Sequence, residues 1–243
     1  MMQSIKEAAR SGNAPALNLL GLCYADGYGV PKDLRLAAHC FALAASMGHA
    51  DARFRIGVCY QQGQGVPRNM GKAAHWFALA AAQGHGKAAA NLGACYQLGQ
   101  GVPLDMAQAA RWYAVAAEQG LAPAQYNLAL CMLDGTGTPQ DLPEAVRWLR
   151  LAAEQGMALA QYDLAVCCEH GTGTQQDLPQ ASLWYRRAAE QGMPEAQYGL
   201  ASCYGQGKGV PQDDREATRW LTLSAAQGYE PAKLTLASAT ENP

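Results

Sequence analysis

The sequence predicts an all-α protein, a right-handed α/α solenoid of helix–turn–helix repeats. Three observations predict it. Every Trp in the chain, Trp76, Trp112, Trp148, Trp184 and Trp220, lies 36 residues from the next. Cys23, Cys59, Cys95, Cys131, Cys167 and Cys203 keep the same step. So do Gly48, Gly84, Gly120, Gly156, Gly192 and Gly228. Six full repeats therefore run without an insertion, at 16–51, 52–87, 88–123, 124–159, 160–195 and 196–231. A fixed period in this range marks units that bury a continuous core only against their neighbours. The whole of 1–243 reads as one such array, with a half repeat at 1–15 and a terminal helix at 232–243.

Within a repeat, two helical patterns are separated by punctuation. In the repeat at 88–123, Ala88, Leu92, Cys95 and Tyr96 recur on one helical face and predict a first helix over Ala88–Leu98. Gly99 and Gly101 end it, because glycine takes the left-handed backbone of a helix C-cap without steric cost. Val102-Pro103 forces an extended exit, and Asp105 stands where the second helix needs an N-cap. The same place holds Asp33, Asn69, Asp141, Asp177 and Asp213. Three residues on, Gln108, Glu144, Gln180 and Glu216 are positioned to complete capping boxes. Pro143 and Pro179 fall in the first turn, where a missing N–H costs little. The second helix runs to about Gln119, with Ala109, Trp112, Tyr113 and Ala116 facing inward. Each Trp reads as core, at ~3–5 kcal/mol to truncate.

These residues resemble the Sel1-like repeat family, relatives of the tetratricopeptide repeat. The pattern A-x3-LG-x2-Y-x2-G-x-GV-x2-D-x3-A-x2-W-x3-AA-x2-G is met by Ala88, Leu92-Gly93, Tyr96, Gly99, Gly101-Val102, Asp105, Ala109, Trp112, Ala116-Ala117 and Gly120. Departures are local. Cys40 replaces the first Trp, and Met132 and Cys168 replace the Tyr. Ala129, Ala165 and Ala201 replace the glycine of the LG pair. The resemblance implies paired helices stacked into a superhelix, with the first helices lining its concave side.

The N-terminal stretch Met1–Asn13 aligns with the end of a second helix, and Lys6, Glu7 and Arg10 interrupt any apolar run of a signal peptide. At the other end Ala232–Ser238 starts a further first helix. Twenty acidic against eighteen basic residues give a net charge of −2, which argues against a nucleic-acid partner. No apolar run reaches the ~18 residues of a membrane span. The expected protein is a monomer with no membrane insertion, in the cytoplasm, or in the periplasm or medium if a leader has been removed.

No cofactor or catalytic motif is found: Ser-x-x-Lys, Gly-x-Ser-x-Gly, His-Glu-x-x-His and a phosphate-binding Gly-x4-Gly-Lys-Ser/Thr are all missing. Gly27-Tyr28-Gly29 and its equivalents follow a helix and read as turns. His39 and His75 share one repeat position and His49 and His85 another. With no carboxylate or thiol recurring beside them, they read as solvated surface residues rather than metal ligands.

A non-catalytic scaffold that binds a protein or peptide in its concave groove is the reading that remains. An unrecognised hydrolase acting on cell-wall material, or a module of an envelope or secretion assembly, are the alternatives. The groove face is expected to carry the row Leu19, Arg55, Asn91, Asn127, Asp163, Gly199, with Tyr126, Tyr162 and Tyr198 beside it. Asn side chains offer donors and an acceptor to a peptide backbone, and tyrosines supply rigid apolar area with a polar tip. Gln61, Gln62, Gln64, Gln97 and Gln100 at the groove's edge are secondary candidates.

Eight cysteines raise the question of disulfides. Packed helices stand roughly 8–10 Å apart, and a bridge needs Cα atoms within about 6.8 Å. Six of the eight repeat the same first-helix position, so all are expected to be buried thiols. Titration under denaturing, non-reducing conditions is expected to count eight thiols; a count of six or fewer contradicts this.

Overall fold

The alternation of helix and turn expected from the period is what the chain adopts. The structure, a computed structural model, describes residues 2–241. Fourteen α-helices and no strand occur among the described residues. The contacts divide the chain into two units, 1–124 and 125–243.

The first unit holds α1 (Met2–Arg10), α2 (Ala14–Asp26), α3 (Leu34–Ser46), α4 (Ala50–Gln62), α5 (Met70–Ala81), α6 (Gly86–Leu98) and α7 (Met106–Glu118). After α8 (Ala122–Asp134), the second unit holds α9 (Leu142–Glu154), α10 (Ala158–His170), α11 (Leu178–Glu190), α12 (Pro194–Gln206), α13 (Asp214–Ala226) and α14 (Glu230–Glu241). Even-numbered helices are the first of a repeat and odd-numbered the second. Each helix packs on the next in sequence order, as in an α-solenoid: α1 to α7 in the first unit, α9 to α14 in the second.

Helix starts and stops follow side-chain chemistry. Asp33, Asn69, Asp105, Asp141, Asp177 and Asp213 all cap second helices, each accepting from backbone N–H groups of the first turn. The reciprocal half of the expected capping box is not made at Glu144 and Glu216. Glu144 takes Arg147 at 2.6 and 2.8 Å, and Glu216 takes Arg219 and the indole N–H of Trp220 at 3.1 Å. A guanidinium three residues on attracts a carboxylate more strongly than a backbone N–H does.

First helices begin two residues earlier than the periodicity suggested, at Gly86 rather than Ala88. For α4 and α6 the reason is a cap the sequence pattern hid, whereas Met157 and Met193 before α10 and α12 make no side-chain cap bond. His49 and His85 are N-caps, their Nδ1 atoms accepting from Ala52 N and Ala88 N at 3.2 Å. Half-buried at these ends, they are not the solvated surface residues expected; of these four histidines His39 and His75 are exposed. The terminal helix likewise starts early, at Glu230. Asn242 and Pro243, which the terminal helix was expected to include, lie outside the described residues.

The turn inside each repeat is closed by one backbone bond. The N–H of the second-helix N-cap donates to a first-helix carbonyl nine residues back: Asp33 to Tyr24, Asn69 to Tyr60, Asp105 to Tyr96, Asp141 to Met132, Asp177 to Cys168 and Asp213 to Tyr204, at 2.8–3.1 Å. Because the acceptor is main chain, Met132 and Cys168 can replace Tyr without loosening the turn. At Gly99 the backbone is left-handed, φ 62°. At Gly101 a β-carbon would lie 2.2 Å from the Met70 carbonyl oxygen. The same approach recurs at Gly65 to Leu34, Gly173 to Leu142 and Gly209 to Leu178. Each of these turns is seated on the start of the preceding second helix, so the second glycine of the motif sets stacking between repeats.

The core differs in one respect from expectation. Trp76 and Trp112 are only half-buried. The residues after positions 40, 76, 112, 148 and 184 are enclosed: Phe41, Phe77, Tyr113, Leu149 and Tyr185 are 0–4% exposed. Phe41, Phe77 and Tyr113 lie flat on the glycine of the LG pair, where a β-carbon would come within 2.6–2.8 Å of the ring. Trp148, Trp184 and Trp220 are buried, each with a guanidinium 4.4–5.3 Å from its ring: Arg147, Arg187 and Arg219. All eight cysteines are free and buried.

Gly93→Ala puts a methyl 2.8 Å from the Tyr113 ring. It is expected to lower stability by about 1–3 kcal/mol, although alanine is the better helix former. In a Tyr113→Leu background the same change should cost nothing, because the fourth repeat carries Ala129 with Leu149. Denaturant titrations of the four proteins of this cycle measure it; equal costs in both backgrounds would refute the ring-on-glycine account.

Candidate partner-binding face

The side of the first helices turned away from the second helices is the surface left for a ligand. Along it Leu22, Val58 and Ala94 in the first unit, and Leu130, Val166 and Ser202 in the second, stay half-buried. Asp26, Gln62, Leu98, Asp134, His170 and Gln206, one turn further on, are exposed. The anticipated residues Arg55, Asn91, Asn127, Asp163, Tyr126, Tyr162 and Tyr198 are all half-buried.

In the first unit the sequence pattern missed the grouping around Asp51. Its carboxylate accepts from Arg55 Nε and Asn18 Nδ2, both at 2.8 Å, and His85 Nε2 lies 3.7 Å away. Burial works to raise the Asp51 pKa, but the hydrogen bonds from Arg55 and Asn18 and the Arg55 charge outweigh it and hold the carboxyl below its usual value. His85 stacks on Phe54 at 4.7 Å, and the Arg55 guanidinium lies 5.9 Å from the Phe41 ring. Asp51, Phe54, Arg55, His85, Lys87 and Gln119 line a shallow depression there. Arg55 is thus tied to its own helix. Gln97, one of the edge glutamines, accepts the Tyr113 hydroxyl.

In the second unit the structure brings several anticipated residues together. Tyr126 on α8 donates its hydroxyl to Asp163 on α10 at 2.9 Å. Tyr162 packs on Tyr185 of its own repeat, ring centres 5.9 Å apart. Tyr198 packs on Tyr229 at the far end of its own repeat, at 5.6 Å. The Tyr185 hydroxyl donates to Glu169 at 2.8 Å, and Lys208 reaches the same carboxylate at 3.2 Å. Glu169, Lys208, Tyr185 and Tyr229 were not anticipated. The signal that could have found them is charge: residues 125–243 carry fourteen acidic and eight basic side chains, net −6, against six and ten, net +4, for 1–124.

Electrostatics separate the two carboxylates at the hearts of these groups. Burial raises the Asp163 pKa, and the Tyr126 hydroxyl only partly offsets it. Tyr126 and Tyr185 are themselves driven up, first by burial and then by the neighbouring Asp163 and Glu169. The thiols offer little nucleophilicity: burial pushes Cys167 and Cys203 up to about 11. Among the described residues no group of three His, Cys, Asp or Glu is arranged to hold a metal, and no helix is long and apolar enough to cross a membrane. What the face offers is hydrogen bonding, aromatic surface and charge.

The Sel1 repeat profile matches six consecutive segments, 14–49, 50–85, 86–121, 122–157, 158–193 and 194–229. These boundaries coincide with the observed starts of the first helices. A crystal structure of a protective antigen of uropathogenic Escherichia coli, described as displaying an SLR fold, superposes with a TM-score of 0.91 at 34% identity. The match covers 97% of this chain and 50% of that one, so the chain spans half the length of this relative. A Sel1 repeat protein from Oxalobacter formigenes gives 0.79 at 34% identity, covering 89% of this chain and 84% of that one. A search of curated proteins gave no match.

The raised Asp163 pKa carries a sign. The unfolded chain ionises this carboxyl near the ordinary value of about 3.9, and the folded chain only at higher pH. Folding is therefore opposed by Asp163 once the pH exceeds its folded pKa, and not opposed below the unfolded one. Asp163→Asn, which keeps an acceptor for Tyr126, is expected to raise the melting temperature at pH 7, the gain vanishing below about pH 4. A variant less stable than wild type at pH 7 would overturn this.

Proposed function

Because the chain belongs to the Sel1-repeat family, we propose that it is a non-catalytic scaffold that binds a protein or peptide partner along the solvent side of its first helices. The observation that carries this is the repeated register. The same first-helix positions present half-exposed Arg55, Asn91, Asn127 and Asp163, with Tyr126, Tyr162 and Tyr198 alongside, while alanine fills the helix contacts. A surface built by repetition offers equivalent contacts at regular steps, which suits an extended segment. The partner is a protein or peptide, taken up by a monomer without cofactor.

Support comes also from energetics. Keeping polar side chains half-buried on a packed helix face costs stability, and they serve best where a partner completes their hydrogen bonds.

The experiment is a pull-down followed by affinity measurement on the captured partner. Asn91→Ala with Asn127→Ala, checked for unchanged helicity, is expected to weaken binding about tenfold, the scale of two lost hydrogen bonds. Charge reversal of Arg147 and Arg150 on α9 is expected to leave it intact. If the asparagine pair changes affinity by less than about twofold, while the α9 reversals abolish binding, the first-helix face is not the site.

A further inference from the structure

The second unit holds an electrostatic account that its own side chains leave open. Asp163 and Glu195 stand on the aromatic face of α10 and α12, both half-buried. The Tyr162 hydroxyl lies within electrostatic reach of Asp163, Glu195, Glu169 and Tyr229, so these groups form one cluster. Among the described residues, Lys208 neutralises Glu169, but no cation pairs with Asp163 or Glu195. The contrast with Asp51, held by Arg55 in the first unit, shows that the fold can supply such a cation.

Resting on the scaffold reading above, we propose that this face of the second unit is the docking surface for a basic extended segment of a partner protein, whose Lys or Arg side chains sit between the tyrosine rings and meet Asp163 and Glu195. Three features fit that occupant. Tyrosine faces attract cations, and Tyr162, Tyr198 and Tyr229 flank the carboxylates. Tyr126 fixes the Asp163 carboxylate from one side and leaves its second oxygen to accept. The net charge of −6 on residues 125–243 steers a cation to the site from a distance. Burial already disfavours the charge on Asp163, and a docked guanidinium would relieve that. Beyond Tyr198 a cleft lined by Ser202, Asp214, Thr218 and Thr235 repeats the chemistry, hydroxyls with one carboxylate and no cation.

The test is fluorescence anisotropy of the full chain with two labelled probes, a peptide alternating Arg and Gly and its counterpart alternating Glu and Gly. The Arg peptide is expected to bind and the Glu peptide not. Asp163→Asn with Glu195→Gln should weaken the Arg peptide about tenfold or more. Glu154→Gln with Glu190→Gln removes the same charge from exposed ends of α9 and α11, and should change affinity by less than about twofold. Equal weakening by both pairs would reduce the effect to bulk charge and overturn the proposal, as would equal binding of the two probes or binding of neither. Sedimentation velocity tests the competing occupant, a second copy of the chain offering its basic first unit. Self-association abolished by Asp163→Asn with Glu195→Gln would replace the basic partner with that copy. If the Arg peptide fails while the Asn91 and Asn127 substitutions still release a captured partner, this inference falls and the scaffold reading stands.

Discussion

The contact on which the first three repeats depend is an aromatic ring laid on a glycine of the facing helix. Phe41 on Gly21, Phe77 on Gly57 and Tyr113 on Gly93 bring the second helix so near the first that a β-carbon would meet the ring at 2.6–2.8 Å. Interiors are packed closely enough that one methylene is felt. Alanine takes the glycine's place in the last three repeats, at Ala129, Ala165 and Ala201. The fourth repeat pairs Ala129 with Leu149. In the fifth, Ala165 is in place and the Tyr185 ring lies against Gly199 of the next first helix, within 2.8 Å of where a β-carbon would be. As the Tyr113 hydroxyl reaches Gln97 sixteen residues back, the Tyr185 hydroxyl reaches Glu169 sixteen residues back, and its ring packs beside Tyr162. One buried side chain, Tyr185, thereby joins the core to the surface cluster of the second unit.

Stacking between repeats rests on main chain and amides. The turn glycines sit on the carbonyls of the preceding second helix, as Gly101 does on Met70. Glutamines finish the joint, in two versions. In the first unit Gln83 and Gln119 donate to the Gly48 and Gly84 carbonyls at 3.0 Å. In the second, Gln155, Gln191 and Gln227 donate to the buried Gln125, Gln161 and Gln197 at 2.7–2.9 Å, and Gln161 donates onward to Ala153. Buried amides with partners in both directions fix a spacing that apolar contacts alone would leave adjustable.

The same scaffold supports two electrostatic characters. Asp51 is satisfied by Arg55 and Asn18, and its carboxyl ionises readily. Asp163 has one tyrosine hydroxyl and no cation, and burial resists its ionisation. Charged groups left short of partners at an accessible surface mark places where stability has been given up for binding.

The period of 36, the capping residues and the turn glycines are properties of sequence spacing, and they determined helix number, the starts of the second helices, the ends of the first and the repeat architecture without reference to any contact. That follows because caps and turns are local: Asp105 and Gly99 act within a few residues of themselves. The resemblance to the repeat family, read through the 36-residue register, also assigned Tyr126, Tyr162, Tyr198 and Asp163 to one face. Which of those residues meet was not local. Tyr126 finds Asp163 thirty-seven residues on, and Lys208 finds Glu169 thirty-nine back. Such pairings depend on how far one repeat rotates against the next, which the ring-on-glycine and turn-on-carbonyl contacts set in three dimensions. The burial of Phe77 and Tyr113 in preference to Trp76 and Trp112 was decided the same way. Both neighbours in sequence are aromatic, and only the packed helix pair, with room for a flat ring over a bare backbone, determines which one is enclosed.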